Sequence, residues 1–474
     1  MRPLAWLENG QAQARVALRL LQDAPRHGLD PADYGAEELA RRLDAAASET
    51  PAAIERDLTA AMLRYLADLH RGRIPPDHDL PDPVPAFDPA PSLARALDER
   101  RLEEAVDAAA PALPLYRRVQ ATLAEYRALA DSHPHWAALP PLPRGGISPG
   151  SRYAGAGLLR ERLQILGDLD AGDPDDGSAS ARAYTGTDAA ALRRFQSRHG
   201  LAEDGVLGRG TLAALSVPLA HRVVQLELTL ERLRWLPPLP PGRTIIVNVP
   251  GYRLWTFDSR DAGPEPVLEM RIIVGNAAKT PTPLFVGQMR HLEFNPFWNV
   301  PRSITVNEII PKLARNPSWL RQNDMELVSA GGKVVAGPLA SLRAGTVRVR
   351  QRPGPRNALG RVKFGMPNPL DIYLHSTPSQ ELFARARRDL SHGCIRVEHP
   401  SELAQFVLAD PEKWNIEAVT AAMRPGRQRT VSLPQPVPVV LLYATAITGR
   451  AGRALFADDI YKRDEKLIQA LRAR

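Results

Sequence analysis

The hydrophobic period of this chain changes at about residue 243, and that change limits the folds open to it. Before it, apolar residues recur at helical spacing: Val16, Leu20 and Leu21 share one face of 14–21, and Ile54, Leu58, Met62, Leu66 and Leu69 repeat through 54–69. After it, alternation takes over. Thr244–Val249 and Tyr252–Phe257 flank Pro250-Gly251 and predict a hairpin. Met270–Val274, Met289–Phe294, Val347–Val349 and Asp371–Ser376 predict further strands. A chain of 474 residues is too long for one core, and its prolines gather at joints, around 75–91 and 138–149. The expectation is an α+β multidomain protein.

Four segments follow from these patterns. Residues 1–150 form a helical scaffold, completed by 218–240. Residues 151–217 form a small three-helix module. Its first helix carries Leu158, Leu159 and Leu163, and a polar loop lies at 173–180. Thr187 or Asp188 caps the second helix, which buries Ala191, Leu192 and Phe195, and 211–215 forms the third. Residues 241–430 form a mostly β domain, interrupted at about 303–345 by a helical pattern of Ile309, Ile310, Leu313, Trp319 and Leu320. An insertion placed there is a candidate lid. Residues 431–474 close the chain with a strand and a helix.

The single cysteine, Cys394, lies in Ser391-His392-Gly393-Cys394-Ile395-Arg396-Val397. One thiol cannot form an internal disulfide, and with a histidine within reach it is suited to nucleophilic catalysis. Alternation along 371–376 sends Ile372 and Leu374 one way, toward a core, and Tyr373 and His375 the other, toward a cleft. His375 is positioned to take the thiol proton, giving a thiolate–imidazolium pair, with the backbone carbonyl of Ser376 as the group that orients the ring. Gly393 allows close backbone approach, and the amides of Gly393 and Cys394 are candidate oxyanion donors. Tyr373, Ser391, His392, Arg396 and Asn357 are candidate substrate-binding residues. Against zinc held by His375, His392, Cys394 and His399, no helical His-x-x-x-His pair is present, and a metal-bound thiol is blocked as a nucleophile. No metal or organic cofactor is expected.

The net charge of +8 suits an acidic polymer or a membrane surface, and without a zinc knuckle or an RNA-binding aromatic motif nucleic acid is not an expected partner. No run of about 18 apolar residues exists. The first 21 residues lack a basic segment followed by an apolar one, so no signal peptide is read there. A truncated or misassigned start is expected, with a membrane tether only if a further N-terminal segment exists.

Tyr-Leu-His-Ser-Thr-Pro (373–378) followed by Ser-His-Gly-Cys-Ile-Arg-Val (391–397) resembles the signature of L,D-transpeptidases, cysteine enzymes that cross-link peptidoglycan. Arg350–Gly360, Val362–Phe364 and Phe294–Ile304 resemble its large Gram-negative branch, which joins a scaffold domain, a peptidoglycan-binding module and a YkuD-type catalytic domain. Leu192-x-x-Phe-Gln196, Gly200-Leu201, Asp204-Gly-x-Leu-Gly208 and Thr211-Leu-x-x-Leu215 resemble that binding module. Ser376 departs from the branch, which more often has aspartate there. The resemblance implies a periplasmic or cell-envelope location, with stem peptides and glycan strands as partners. It also implies that Cys394 takes an acyl group from a tetrapeptide stem with loss of D-alanine, that an amine of a second stem resolves the thioester in a 3→3 cross-link, and that carbapenems acylate Cys394. The alternatives are a non-catalytic wall-binding protein, an L,D-carboxypeptidase or D-amino-acid exchange enzyme, and a cytoplasmic cysteine hydrolase. Oligomeric state is not legible in the sequence.

Overall fold

The computed structural model describes residues 6–7, 11–45, 51–76, 86–170, 183–260, 265–449 and 452–474. The polar loop expected at 173–180 lies outside the described residues. The chain forms two compact units, 1–240 with 442–474, and 241–441.

The first unit is helical. Ala12–Gln22 and Pro51–Arg71 bury the faces that their spacing predicts, among them Leu20, Leu21, Leu58, Met62 and Leu69. Helices Ala156–Ile165, Gly186–Arg198 and Arg209–Leu215 make up the three-helix segment. The second of these begins earlier than expected. Its cap is Thr185, whose side chain accepts from the Asp188 amide while the Asp188 carboxylate accepts from the Thr185 amide. Asp188 is therefore the return half of a capping box and not the cap. Residues beyond 441 belong to this unit: strands Ala446–Thr448 and Ala454–Phe456 pair, and Arg198 donates to the Ala454 carbonyl at 2.9 Å. No helix among the described residues is long and apolar enough to cross a membrane.

The second unit is built on a nine-stranded sheet. Its strands begin with β1 (Arg243–Asn248), β2 (Arg253–Asp258), β3 (Leu268–Gly275) and β4 (Val286–Phe294). β5 (Trp298–Asn299), β6 (Met325–Val328) and β7 (Arg348–Gln351) belong to a separate three-stranded sheet in the order β5-β7-β6. β8 (Val362–Gly365), β9 (Leu374–His375), β10 (Asp389–Ser391), β11 (Ile395–Val397) and β12 (Arg429–Leu442) complete the large sheet. Its order is β10-β3-β11-β9-β8-β4-β12-β1-β2, and β2 also pairs with β3, so the sheet closes on itself with β10 outside on β3.

The strand expected over 371–376 is reduced to Leu374–His375. Asp371 takes a positive φ of 52°, which ends the extended run. The Asn368 amide then stands in for a neighbouring strand, bonding both the N–H and the carbonyl of Ile372. The insertion carries helices Ile310–Arg315, Trp319–Gln322 and Leu339–Ala344 and also the strand β6. It has a small core of its own from Val300, Ile309, Ile310, Leu313, Met325, Leu342 and Val349. Its entry is a π-helical turn, Thr305–Ile309, a geometry that often marks functional sites.

Candidate active site

β9 and β11 run parallel with Leu374 opposite Ile395 and His375 opposite Arg396. Leu374 and Ile395 are fully buried in the core. Side chains alternate along a strand, so Tyr373, His375, Cys394 and Arg396 share the other face. All four line one cavity of about 730 Å³, together with Lys279, Trp298, Glu308, Ser391 and His392.

Several of these side chains are held by specific neighbours. His375 is buried, and its Nδ1 lies 2.6 Å from the Ser376 carbonyl. A carbonyl only accepts, so Nδ1 carries the hydrogen and Nε2 is the basic nitrogen of the neutral ring. Burial lowers the His375 pKa to about 3, with Arg396 adding to the fall and the Ser376 carbonyl opposing it. The half-buried Cys394 thiol is pushed up by burial, opposed by the backbone and hydroxyl of Tyr373 and by Lys363. Burial thus disfavours charge on both groups, the opposite direction from the expected thiolate–imidazolium pair.

Tyr373 is more than a wall. Its hydroxyl sits against the Cys394 sulfur and the Trp298 indole, and burial and the thiol together raise its pKa far above the usual phenol value. Indole N–H only donates, which leaves the tyrosine hydrogen for sulfur. The Lys363 ammonium lies 4.7 Å from the centre of the tyrosine ring.

The loop before the cysteine is tied to itself. Ser391 Oγ donates to the Cys394 carbonyl at 2.6 Å and accepts from the Gly393 amide at 3.1 Å. Gly393 has φ 115°, which an L side chain rarely adopts, and its carbonyl accepts from Thr282 Oγ1 at 2.8 Å. The Gly393 N–H is thus engaged in the turn, which withdraws it from the expected oxyanion pair. Ser391 lines the cavity, but its hydroxyl serves the loop. His392 lines the cavity half-exposed, with Nε2 2.5 Å from Glu308 Oε1 on the insertion.

One further expectation changes. Asn357 is 1% exposed and absent from the cavity wall; Nδ2 donates to the carbonyls of Pro296 and Arg352, each at 3.0 Å, and Oδ1 accepts from the Leu359 amide at 2.8 Å. Its amide is engaged with loop backbone and lies off the cavity wall, not facing the cavity as expected. The Ser376 hydroxyl is likewise internal, accepting from the amides of Arg361 and Val362 and donating to Leu359. By contrast, Arg396 is a cation in the cavity whose buried Nε has no hydrogen-bond partner among the described residues. Trp298, Lys279 and Glu308 were not singled out from the sequence. Trp298 stands inside the quoted Phe294–Ile304 run, which was the available signal; Lys279 and Glu308 reach the site only through tertiary packing. Among the described residues no three His, Cys, Asp or Glu side chains form a group able to hold a metal ion.

Residues 242–437 match the family model described as L,D-transpeptidase catalytic domain, 2–123 match Scaffold domain, and 154–215 match "Putative peptidoglycan binding domain". The site described above lies within the segment that is similar to the L,D-transpeptidases. A "Putative L,D-transpeptidase" of Haemophilus influenzae is 31% identical over 249 residues, covering 51% of this chain and 48% of the relative. The chain thus spans about half the length of the curated relative it matches. Crystal structures of L,D-transpeptidases from Xylanimonas cellulosilytica (16% identity, TM-score 0.19, 64% of this chain and 100% of that one) and Stackebrandtia nassauensis (14%, 0.26, 66% and 100%) are looser likenesses and add nothing to the assignment.

Proposed function

We propose that this chain is a peptidoglycan L,D-transpeptidase acting through a Cys394 thioester. One observation carries the proposal: the parallel β9–β11 pair turns Tyr373, His375, Cys394 and Arg396 into one cavity. His375 Nε2 removes the thiol proton as sulfur attacks the carbonyl between the third stem residue and D-alanine, in keeping with burial that disfavours charge on both groups before attack. The Tyr373 hydroxyl donates to the developing thiolate. The proton on His375 passes to the departing D-alanine amine, leaving the thioester. A second stem's side-chain amine then forms the 3→3 amide and frees the thiol. Arg396, with its unpartnered Nε, receives a carboxylate of the stem. Peptidoglycan is the proposed partner, the cell envelope the proposed site of action, and 154–215 the proposed glycan contact.

Incubation with meropenem followed by intact mass tests this. The wild type gains one covalent carbapenem mass and Cys394→Ala gains none. A wild type without adduct, or an adduct that persists in the variant, overturns the proposal.

A further inference from the structure

The cavity wall holds two fixed cations, Lys279 and Arg396, but only one carboxylate among its described lining residues, Glu308. Glu308 stands on the π-helical turn of the insertion, and one of its oxygens meets His392 Nε2 at 2.5 Å. The other lies 3.7 Å from the Lys312 ammonium one turn on, a half-exposed pair that contributes little. A lone acid in a cavity otherwise suited to carboxylates calls for a cationic ligand.

The chemistry of the second half-reaction supplies one. An alkyl amine has a pKa of about 10.4 and arrives as the ammonium ion, which is not a nucleophile. Two protons must leave its nitrogen before the amide is formed. His375 offers one basic nitrogen, since Nδ1 is committed to the Ser376 carbonyl. That nitrogen moves one proton from the attacking amine to the departing Cys394 sulfur, and the other proton needs a second acceptor.

Resting on the transpeptidase proposal, we infer that Glu308 and His392 form the acceptor site: the carboxylate holds the incoming ammonium and the Glu308–His392 pair takes its first proton. The neutral amine forms the C–N bond at the thioester carbonyl. The tetrahedral adduct then expels the cysteine sulfur, which receives the second proton through His375, and the first proton passes from the pair to solvent. No oxidant or further reactant is needed. Water requires no ammonium site, so Glu308 sets the choice between cross-linking and hydrolysis. Glu308 is thereby a substrate-contacting residue of the acceptor step, and His392 a positioning partner that shares its proton.

The test uses the full chain with a disaccharide tetrapeptide that carries diaminopimelate, as both donor and acceptor, and reads the ratio of cross-linked dimer to hydrolysed tripeptide. Both products come from the same acyl-enzyme, so the ratio is independent of how much of a variant is folded. Glu308→Gln lowers the ratio about tenfold or more, and Glu308→Asp recovers part of it. An unchanged ratio in Glu308→Gln, even with slower turnover, makes the contact a mere latch on the insertion and overturns the inference. Failure of Glu308→Gln to form any acyl-enzyme with meropenem also overturns it, because the residue then serves the donor half. A wild type with no meropenem adduct fails the transpeptidase proposal itself, a separate outcome.

Discussion

The thiol of Cys394 and the hydroxyl of Tyr373 meet on one face of the parallel β9–β11 pair, and the hydroxyl is itself in contact with the Trp298 indole. The chain of donors runs from indole to phenol to sulfur. Tyr373→Phe removes the donor nearest the forming thiolate while keeping the ring that packs on Lys363 and His375. A hydrogen bond to a charged group contributes about 1.5–3 kcal/mol, so carbapenem acylation should slow by about tenfold to a hundredfold. Stopped-flow acylation rates check this, and an unchanged rate would show that the hydroxyl does not bond the nascent thiolate.

The ionisation of His375 sets the pH behaviour. Burial first, then Arg396, lowers its pKa to about 3. The folded chain therefore keeps the imidazole neutral at pH values where an unfolded histidine, with a pKa of about 6.5, binds a proton. The unfolded state binds more protons below about pH 6.5, so this group's contribution to stability is whole above that value and is lost as pH falls toward 3. The base also stays available for acylation. Between about pH 5.5 and 8 the acylation rate should show no step at the ordinary histidine value. A fall following an ionisation near 6.5 would contradict a buried neutral base.

How much of this was legible in the sequence depends on the range of each contact. The shared face of Tyr373 and His375 follows from alternation over a few residues, and the parallel pairing then adds Cys394 and Arg396. Glu308 meets His392 across 84 residues, a contact set by how the insertion packs and carried by no local pattern. Asn357 misled for a physical reason. A polar residue in a loop near a site signals ligand contact, yet the same amide can satisfy three backbone groups, and here it does. The basic residues of 348–363 are likewise engaged within the fold. Arg350 pairs with Glu326 at 2.5 Å, Arg356 with Asp324 at 2.8 Å and Lys363 with Glu293 at 2.9 Å, and these acids lie far away in sequence.

Asn357→Ala should act on stability and not on substrate affinity. The substitution leaves the carbonyls of Pro296 and Arg352 and the Leu359 amide without their partner. A buried polar group left unsatisfied costs about 1–3 kcal/mol, so the denaturation midpoint of the second unit should fall clearly. The concentration of donor stem giving half-maximal D-alanine release should stay within about twofold of wild type. A raised half-maximal concentration with an unchanged midpoint would return Asn357 to the substrate.

Ser376→Ala separates the side chain of this residue from its backbone. Ser376 Oγ accepts from the amides of Arg361 at 2.7 Å and Val362 at 3.0 Å, and it donates to the Leu359 carbonyl at 3.0 Å. Gly360 packs so closely that a Cβ there would come 2.3 Å from this oxygen, which marks the pocket around the hydroxyl as filled. Alanine leaves the amides of Arg361 and Val362 without this acceptor, at a cost of about 1–3 kcal/mol. The contact that orients His375 runs through the Ser376 carbonyl, which alanine retains. The variant should therefore unfold at lower denaturant, while its acylation rate per folded molecule falls less than about tenfold. Loss of acylation with an unchanged midpoint would mean that the hydroxyl, and not the carbonyl, holds the imidazole in place.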